Sequence, residues 1–162
     1  MIALENPYLA TEIMGTISFD PDNGSILNYS VDVDTLPQNT LAPVDSIIDP
    51  TVKQPGNGLP APTNNIRYLI VEDIPSQVPY ESSGVLNLWP GLTSGASAGS
   101  IIKYTQSTDS WSVVFDAASQ AESAINFVLN ITSGVQYRHT VSDGWMKAVD
   151  GYYESGDFRI II

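Results

Sequence analysis

Twice in this chain a β-favouring run bearing a tyrosine enters a turn, and the chain leaves that turn on a tryptophan. The first instance is Ile101-Ile102-Lys103-Tyr104, a turn through Gln106 to Ser110, then Trp111-Ser112-Val113-Val114-Phe115-Asp116. The second is Val135-Gln136-Tyr137-Arg138-His139, a turn through Ser142-Asp143-Gly144, then Trp145-Met146-Lys147-Ala148-Val149-Asp150. In both, an aspartate lies five residues after the tryptophan. Such spacing suits antiparallel hairpins. An aromatic on each arm packs over one face, which contributes up to about 1 kcal/mol per pair beyond simple area burial. Asp143-Gly144 supplies the positive φ that a tight turn needs. A shorter third version follows: Tyr152-Tyr153, the turn Glu154-Ser155-Gly156-Asp157, then Phe158-Arg159-Ile160-Ile161-Ile162.

The same patterning extends through the rest of the chain. Thr16 to Phe19 precedes Asp20-Pro21-Asp22-Asn23-Gly24, and in Ile26 to Val33 the residues Leu27, Tyr29, Val31 and Val33 alternate with polar ones. Alternation of this kind marks a half-buried strand and completes a hairpin. Arg67 to Val71 and Val85 to Trp89 read as strands, and Gly91 to Gly99 reads as a loop. Ala117 to Leu129 has some helical spacing, with Ser119 and Glu122 as a capping box; a short helical turn at 117–123 and a strand near 125–131 fit best. Six of the eleven prolines fall between Pro37 and Pro62. Proline removes a backbone donor and disfavours helix at the preceding residue, so this stretch is expected to be an extended arm or linker, not a packed element. The expected fold is mostly β, a small antiparallel sandwich or barrel-like domain built from hairpins. Its parts are an N-terminal hairpin and arm over 1–36, a Pro-rich linker over 37–63 and a β domain over 64–162.

Charge narrows the partners. In 162 residues, 6 Lys+Arg stand against 18 Asp+Glu, a net charge of −12. Eight of the acids and none of the bases lie in residues 1–52. This balance opposes phosphate backbones and anionic membrane surfaces, so neither nucleic acid nor membrane is an expected partner. No run of 18 apolar residues is present, so no transmembrane helix is expected. The N-terminal residues lack a basic, apolar leader and are read as no signal peptide. Without one, the sequons at Asn23, Asn28 and Asn130 are taken as chance. Zero cysteines exclude a disulfide framework, thiolate zinc sites and a cysteine nucleophile, and the single histidine, His139, cannot build a multi-histidine metal site. No cofactor and no metal are expected.

The remaining candidates for chemistry are few. His139 beside Ser142 and Asp143 contains the residue types of a hydrolytic triad, but no nucleophile elbow accompanies them, and a surface or half-buried strand histidine is the plainer reading. Asp32 and Asp34 on one strand face suggest an acid pair of the kind a cell-wall hydrolase uses. Asp20 to Gly24 has acids in a turn but departs from the EF-hand loop, so solvated turn acids are expected there. Trp89, Trp111 and Trp145, with Tyr104 and Tyr137, either fill a β core or form a platform for sugar rings. The apolar terminus Phe158, Ile160, Ile161 and Ile162 is expected to be buried in the domain or by a neighbouring subunit, because apolar surface left in water is unfavourable.

The strings Arg67-Tyr68-Leu69-Ile70-Val71, Ile101 to Tyr104, Trp111 to Asp116, Gly134-Val135-Gln136-Tyr137 and Gly144-Trp145-Met146-Lys147 resemble virion structural proteins of large contractile-tailed bacteriophages, of tail, neck or baseplate type. Gly151-Tyr152-Tyr153 and Gly156 to Ile160 resemble the ends of such proteins. The resemblance spans roughly residues 64–162, and the first 60 residues carry no part of it. It implies a structural or adhesive role without catalytic residues. The chain is therefore expected to be a non-enzymatic virion protein, made in the host cytoplasm. It would assemble with other virion proteins, and with copies of itself, through β-rich interfaces. A carbohydrate- or receptor-binding module of a tail is the alternative, and an acid-pair hydrolase the next.

Overall fold

The structure, a computed structural model, describes residues 1–5, 11–76 and 88–149, and the backbone of Phe158–Ile160. It is mostly β. The strands are β1 (Ile2–Leu4), β2 (Ile13–Phe19), β3 (Leu27–Val31), β4 (Ser46–Ile48), β5 (Gln54–Pro55), β6 (Gly58–Leu59), β7 (Arg67–Ile70), β8 (Ile101–Thr105), β9 (Ser110–Phe115), β10 (Asn126–Asn130), β11 (Val135–Thr140), β12 (Gly144–Lys147) and β13 (Phe158–Ile160). The helical residues among those described form single 3-10 turns, at Val33–Thr35, Gln106–Thr108 and Ala117–Ser119. The chain divides into two compact units, 1–38 with 147–162, and 39–146.

The first unit is a four-stranded antiparallel sheet in the order β13-β1-β2-β3. Its strands β2 and β3 are the hairpin expected around Asp20 to Gly24, with Phe19 opposite Leu27 and Ile17 opposite Tyr29. Asp20 organises the reversal: its Oδ1 accepts from the N–H groups of Asp22 and Asn23 at 2.9 and 3.0 Å, and its Oδ2 from Asn28 Nδ2 at 3.2 Å. These donors hold the exposed Asp20 carboxyl below its usual pKa, Asn28 contributing most. In β2, Gly15 lies beneath the Tyr29 ring, and a Cβ there would come within 2.5 Å of that ring. The C-terminal run enters the same sheet, with Ile2 opposite Ile160 and Leu4 opposite Phe158. For Phe158–Ile160 only this backbone pairing is described, and the expected burial of the terminal side chains, with Ile161 and Ile162, lies outside the described residues. So do Tyr152, Tyr153 and the turn at 154–157, and residues 85–87 of the strand read at Val85 to Trp89.

The second unit is built on a four-stranded sheet in the order β4-β7-β8-β9, whose two faces are both covered. Alternation in β7 and β8 sends Tyr68, Ile70, Ile102 and Tyr104 to one face and Leu69 and Ile101 to the other. The first face packs against Trp89, Leu92 and Ile74 from the connection between β7 and β8, with Leu59 and Ile66 beside them. The second packs against the three-stranded sheet β10-β11-β12 through Phe115, Val128, Tyr137 and Trp145. That pairing of sheets is a small sandwich.

One difference from the sequence reading has a clear cause. The proline-rich stretch 37–63 is packed, not a free linker. It carries β4, which runs parallel to β7 in the register Ser46 with Tyr68 and Ile48 with Ile70, and it buries Val44 and Ile48 in the core. Pro43 and Pro50 bracket the run Val44 to Ile48 without falling inside it, so the ladder keeps its donors. The boundary accordingly lies at residue 38, and residues 147–162 return to the first unit because β13 pairs with β1. Strand β9 carries an irregularity that no local pattern announces. Ile101 pairs with Phe115 but Ile102 pairs with Val113, so one extra residue is inserted as a β-bulge. Trp111 and Phe115 are four apart and would share a face in a regular strand. The bulge flips the phase, and Trp111 joins the first core while Phe115 joins the second.

Candidate functional site

The aromatic residues form the core of the second unit. Trp111 stacks on Tyr68 (centroids 5.6 Å), meets Trp89 edge-on (5.1 Å) and contacts Tyr104 across the hairpin (5.3 Å). Trp89, Trp111 and Tyr104 are 3%, 2% and 7% exposed. The Tyr104 hydroxyl donates to Asp109 Oδ1 at 2.5 Å. This clips the turn at a residue whose φ of 47° is left-handed. The hydrogen bond to Asp109 is also the largest of the effects that raise the tyrosine pKa. Trp145 and Tyr137 are half-buried and pack in the second core, where Trp145 Nε1 donates to the Gly99 carbonyl at 2.7 Å. These five side chains are divided between opposite faces of one sheet, so they form no common platform. The sugar-platform reading of them is corrected: three of the rings are already stacked against protein. Tryptophan emission is accordingly expected to be blue-shifted and poorly quenched by iodide, and to stay unchanged when soluble oligosaccharides are added. Strong quenching with a saturable sugar response would contradict this packing.

His139 is 4% exposed and sits between the rings of Phe115 (5.3 Å) and Trp145 (5.0 Å). It is therefore more deeply placed than a surface strand histidine. Among the described residues its Nδ1 has no hydrogen-bond partner. Ser142 Oγ is within hydrogen-bond distance of Thr140 Oγ1 and Asp143 Oδ1, at 3.2 and 3.1 Å. The other Asp143 oxygen, Oδ2, meets the buried Arg138 at 3.5 Å. Ser142 and Asp143 thus pair with each other and with Thr140 and Arg138, and among the described residues no hydrogen bond joins His139 to either of them. Arg138 itself, 1% exposed, escaped the sequence reading, because neighbouring strand residues are expected to face opposite ways and here both faces of β11 are covered. Burial lowers the His139 pKa from 6.5. The unfolded chain takes up this proton more readily than the folded one, so stability rises with pH through the window just below 6.5. Urea titrations stepped from about pH 7 to about pH 5 are expected to show that slope, and His139→Leu to flatten it. An unchanged slope would place the proton elsewhere.

The acid pairs do not converge on a site. Asp32 and Asp34 leave the strand, which ends at Val31. Asp32 Oδ1 caps the following 3-10 turn by accepting from Asp34 N at 3.1 Å. The expected shared strand face is therefore replaced by a capping interaction. Among the described residues no cluster of three or more His, Asp or Glu side chains is arranged to hold a metal ion. No helix among them is long and apolar enough to cross a membrane.

Two surface features stand out instead. On the β2–β3 hairpin, Ile17, Phe19 and Leu27 lie on one face and are 39%, 71% and 57% exposed. In the second unit, an open groove of about 800 Å³ runs beside the outer edge of β9, between Val113-Val114 and the segments at 73–76 and 94–97. The sequence marked the hairpin's alternation but gave no sign of its exposure, because alternation alone does not say which apolar face finds a cover. Comparison with known proteins yields no match: no family model matches the chain, and neither a curated protein nor a solved structure is significantly similar.

Proposed function

We propose that this protein is a non-enzymatic structural component of a bacteriophage particle, assembling with copies of itself and with other virion proteins through β-rich surfaces. The observation that carries this reading is the apolar face of the β2–β3 hairpin. Phe19 pairs across to Leu27, Ile17 lies beside them, and all three sit in water in the isolated chain. Contiguous apolar surface of this kind marks an interaction site. The same stretch carries Glu12, Asp20, Asp22, Asp32 and Asp34 and no base. An apolar centre with an acidic rim keeps free chains apart at low salt and lets them associate where the rim is screened or neutralised. The resemblance over 64–162 supplies the setting, and the divided, occupied candidate chemistry leaves contact as the role best supported. Mass spectrometry of gradient-purified particles tests it: the chain is expected as a stoichiometric component that resists high-salt washing. Its absence from particles of a phage that expresses it would overturn the assignment.

A further inference from the structure

We infer that the groove beside β9 is a strand-addition site for an extended peptide segment carrying a lysine or arginine. This does not rest on the assembly role of the hairpin face, since the groove lies wholly within the second unit. The backbone phase of β9 follows from its neighbours. Tyr104 directs both its carbonyl and its N–H toward the β7 side, bonding Asn65 N and Ile66 O at 3.0 Å each. Its partner Trp111 therefore points outward, and the Trp111 N–H donates to the Pro90 carbonyl. Two residues on, Val113 opposite Ile102 points the same way, and among the described residues its N–H and C=O have no partner. Pro90 thus covers the edge at Trp111, and the edge opens again at Val113.

The bulge enlarges this opening. Val113 and Val114 both line the groove, although consecutive residues of a regular strand face opposite ways. They are 37% and 43% exposed. The opposite wall is held rigid by the reciprocal Ile74 and Ala96 hydrogen bonds at 2.8 and 2.9 Å. Gly95 there has φ +77°, and its Cβ position is closed by the Ile74 carbonyl at 2.4 Å. The floor is polar. Ser97 Oγ lies 3.0 Å from the buried Ser100 Oγ and donates to Asp116 Oδ1 at 3.2 Å. Asp116 Oδ1 also accepts from Ala118 N, and Asp73 Oδ1 accepts from Ala98 N at 2.7 Å. Each carboxylate therefore uses one oxygen to fix its orientation, and among the described residues the other accepts no hydrogen bond. No lysine or arginine lines the groove. The Val113 N–H and C=O, unpartnered among the described residues, supply backbone hydrogen bonds, the two valines take small apolar side chains, and the acids select a cation.

The probe is a capped peptide of alternating valine and threonine with a central lysine, followed by amide NMR on the full chain. Shifts at Val113, Val114, Ala96 and Ser97 that saturate are expected. Asp73→Asn with Asp116→Asn should weaken binding at least about ten-fold, as loss of charge-assisted hydrogen bonds does. Replacing the peptide's lysine by norleucine should do the same, and N-methylation of its edge-facing amides should abolish binding without any change to the protein. Saturating shifts with a neutral oligosaccharide but none with the peptide would overturn the proposal. So would peptide binding indifferent to N-methylation, or the absence of shifts at millimolar peptide.

Discussion

Replacing Trp111 by alanine is expected to remove about 3–5 kcal/mol from the stability of the second unit. The indole touches Tyr68, Trp89 and Tyr104 at once and is 2% exposed, so its loss opens a cavity bounded by rings that cannot collapse into it. A domain of ordinary stability holds only about 5–15 kcal/mol, so this variant should lie near the unfolding threshold. Trp111→Phe keeps most of the ring contacts and should lose markedly less. Val114→Ala, on the exposed side of the same strand, should be close to neutral. Chemical denaturation of the three variants orders them. A Trp111→Ala loss no larger than that of Val114→Ala would mean that the aromatic cluster does not hold the sheet to its cover.

The second large effect comes from a residue without a side chain. Gly91 has φ +95°, and a Cβ there would lie 2.4 Å from the Trp111 carbonyl and 2.9 Å from Ser110 Cβ. Gly91→Ala thus carries a backbone strain of about 1–3 kcal/mol and, in addition, forces apart the Pro90 carbonyl and the Trp111 N–H. Gly134 provides the control. Its φ is +69°, but nothing lies within 4 Å of its Cβ position, so Gly134→Ala pays the conformational term alone. The alanine variant at 91 should therefore melt well below the variant at 134. Equal melting temperatures would show that the 89–91 segment is free to move off β9.

How much of this was legible in the sequence differs from element to element. The β8–β9 hairpin was readable because its register is set locally: Tyr104 and Trp111 flank a short turn and meet across it. The β2–β3 reversal was readable for the same reason, through Asp20 and the Asn23-Gly24 pair. The helical turn read at 117–123 begins where expected but ends at Ser119, and Asp116 caps it in place of the expected Ser119 and Glu122 box. Features set by distant partners were not legible. The pairing of β4 with β7 joins Ser46 to Tyr68, and no local signal distinguishes Val44 to Ile48 from an extended arm. The bulge at Val113-Val114 leaves no trace in a run of strand-favouring residues, yet it decides which core Phe115 enters. Likewise, the tryptophans were ambiguous between core and platform, because a ring's neighbours across the sheet are not contained in its own strand.

The most direct test of a contact role for the hairpin is sedimentation velocity of the full chain across a salt series, beside Phe19→Asp with Leu27→Asp. Raising salt from low ionic strength to about 0.5 M screens the acidic rim and leaves apolar attraction intact. The wild-type chain is expected to shift from monomer to larger species as salt rises, while the double variant, with unchanged circular dichroism, stays monomeric throughout. A wild-type chain that is monomeric at every salt concentration, or a double variant that associates as readily as the wild type, would contradict the account.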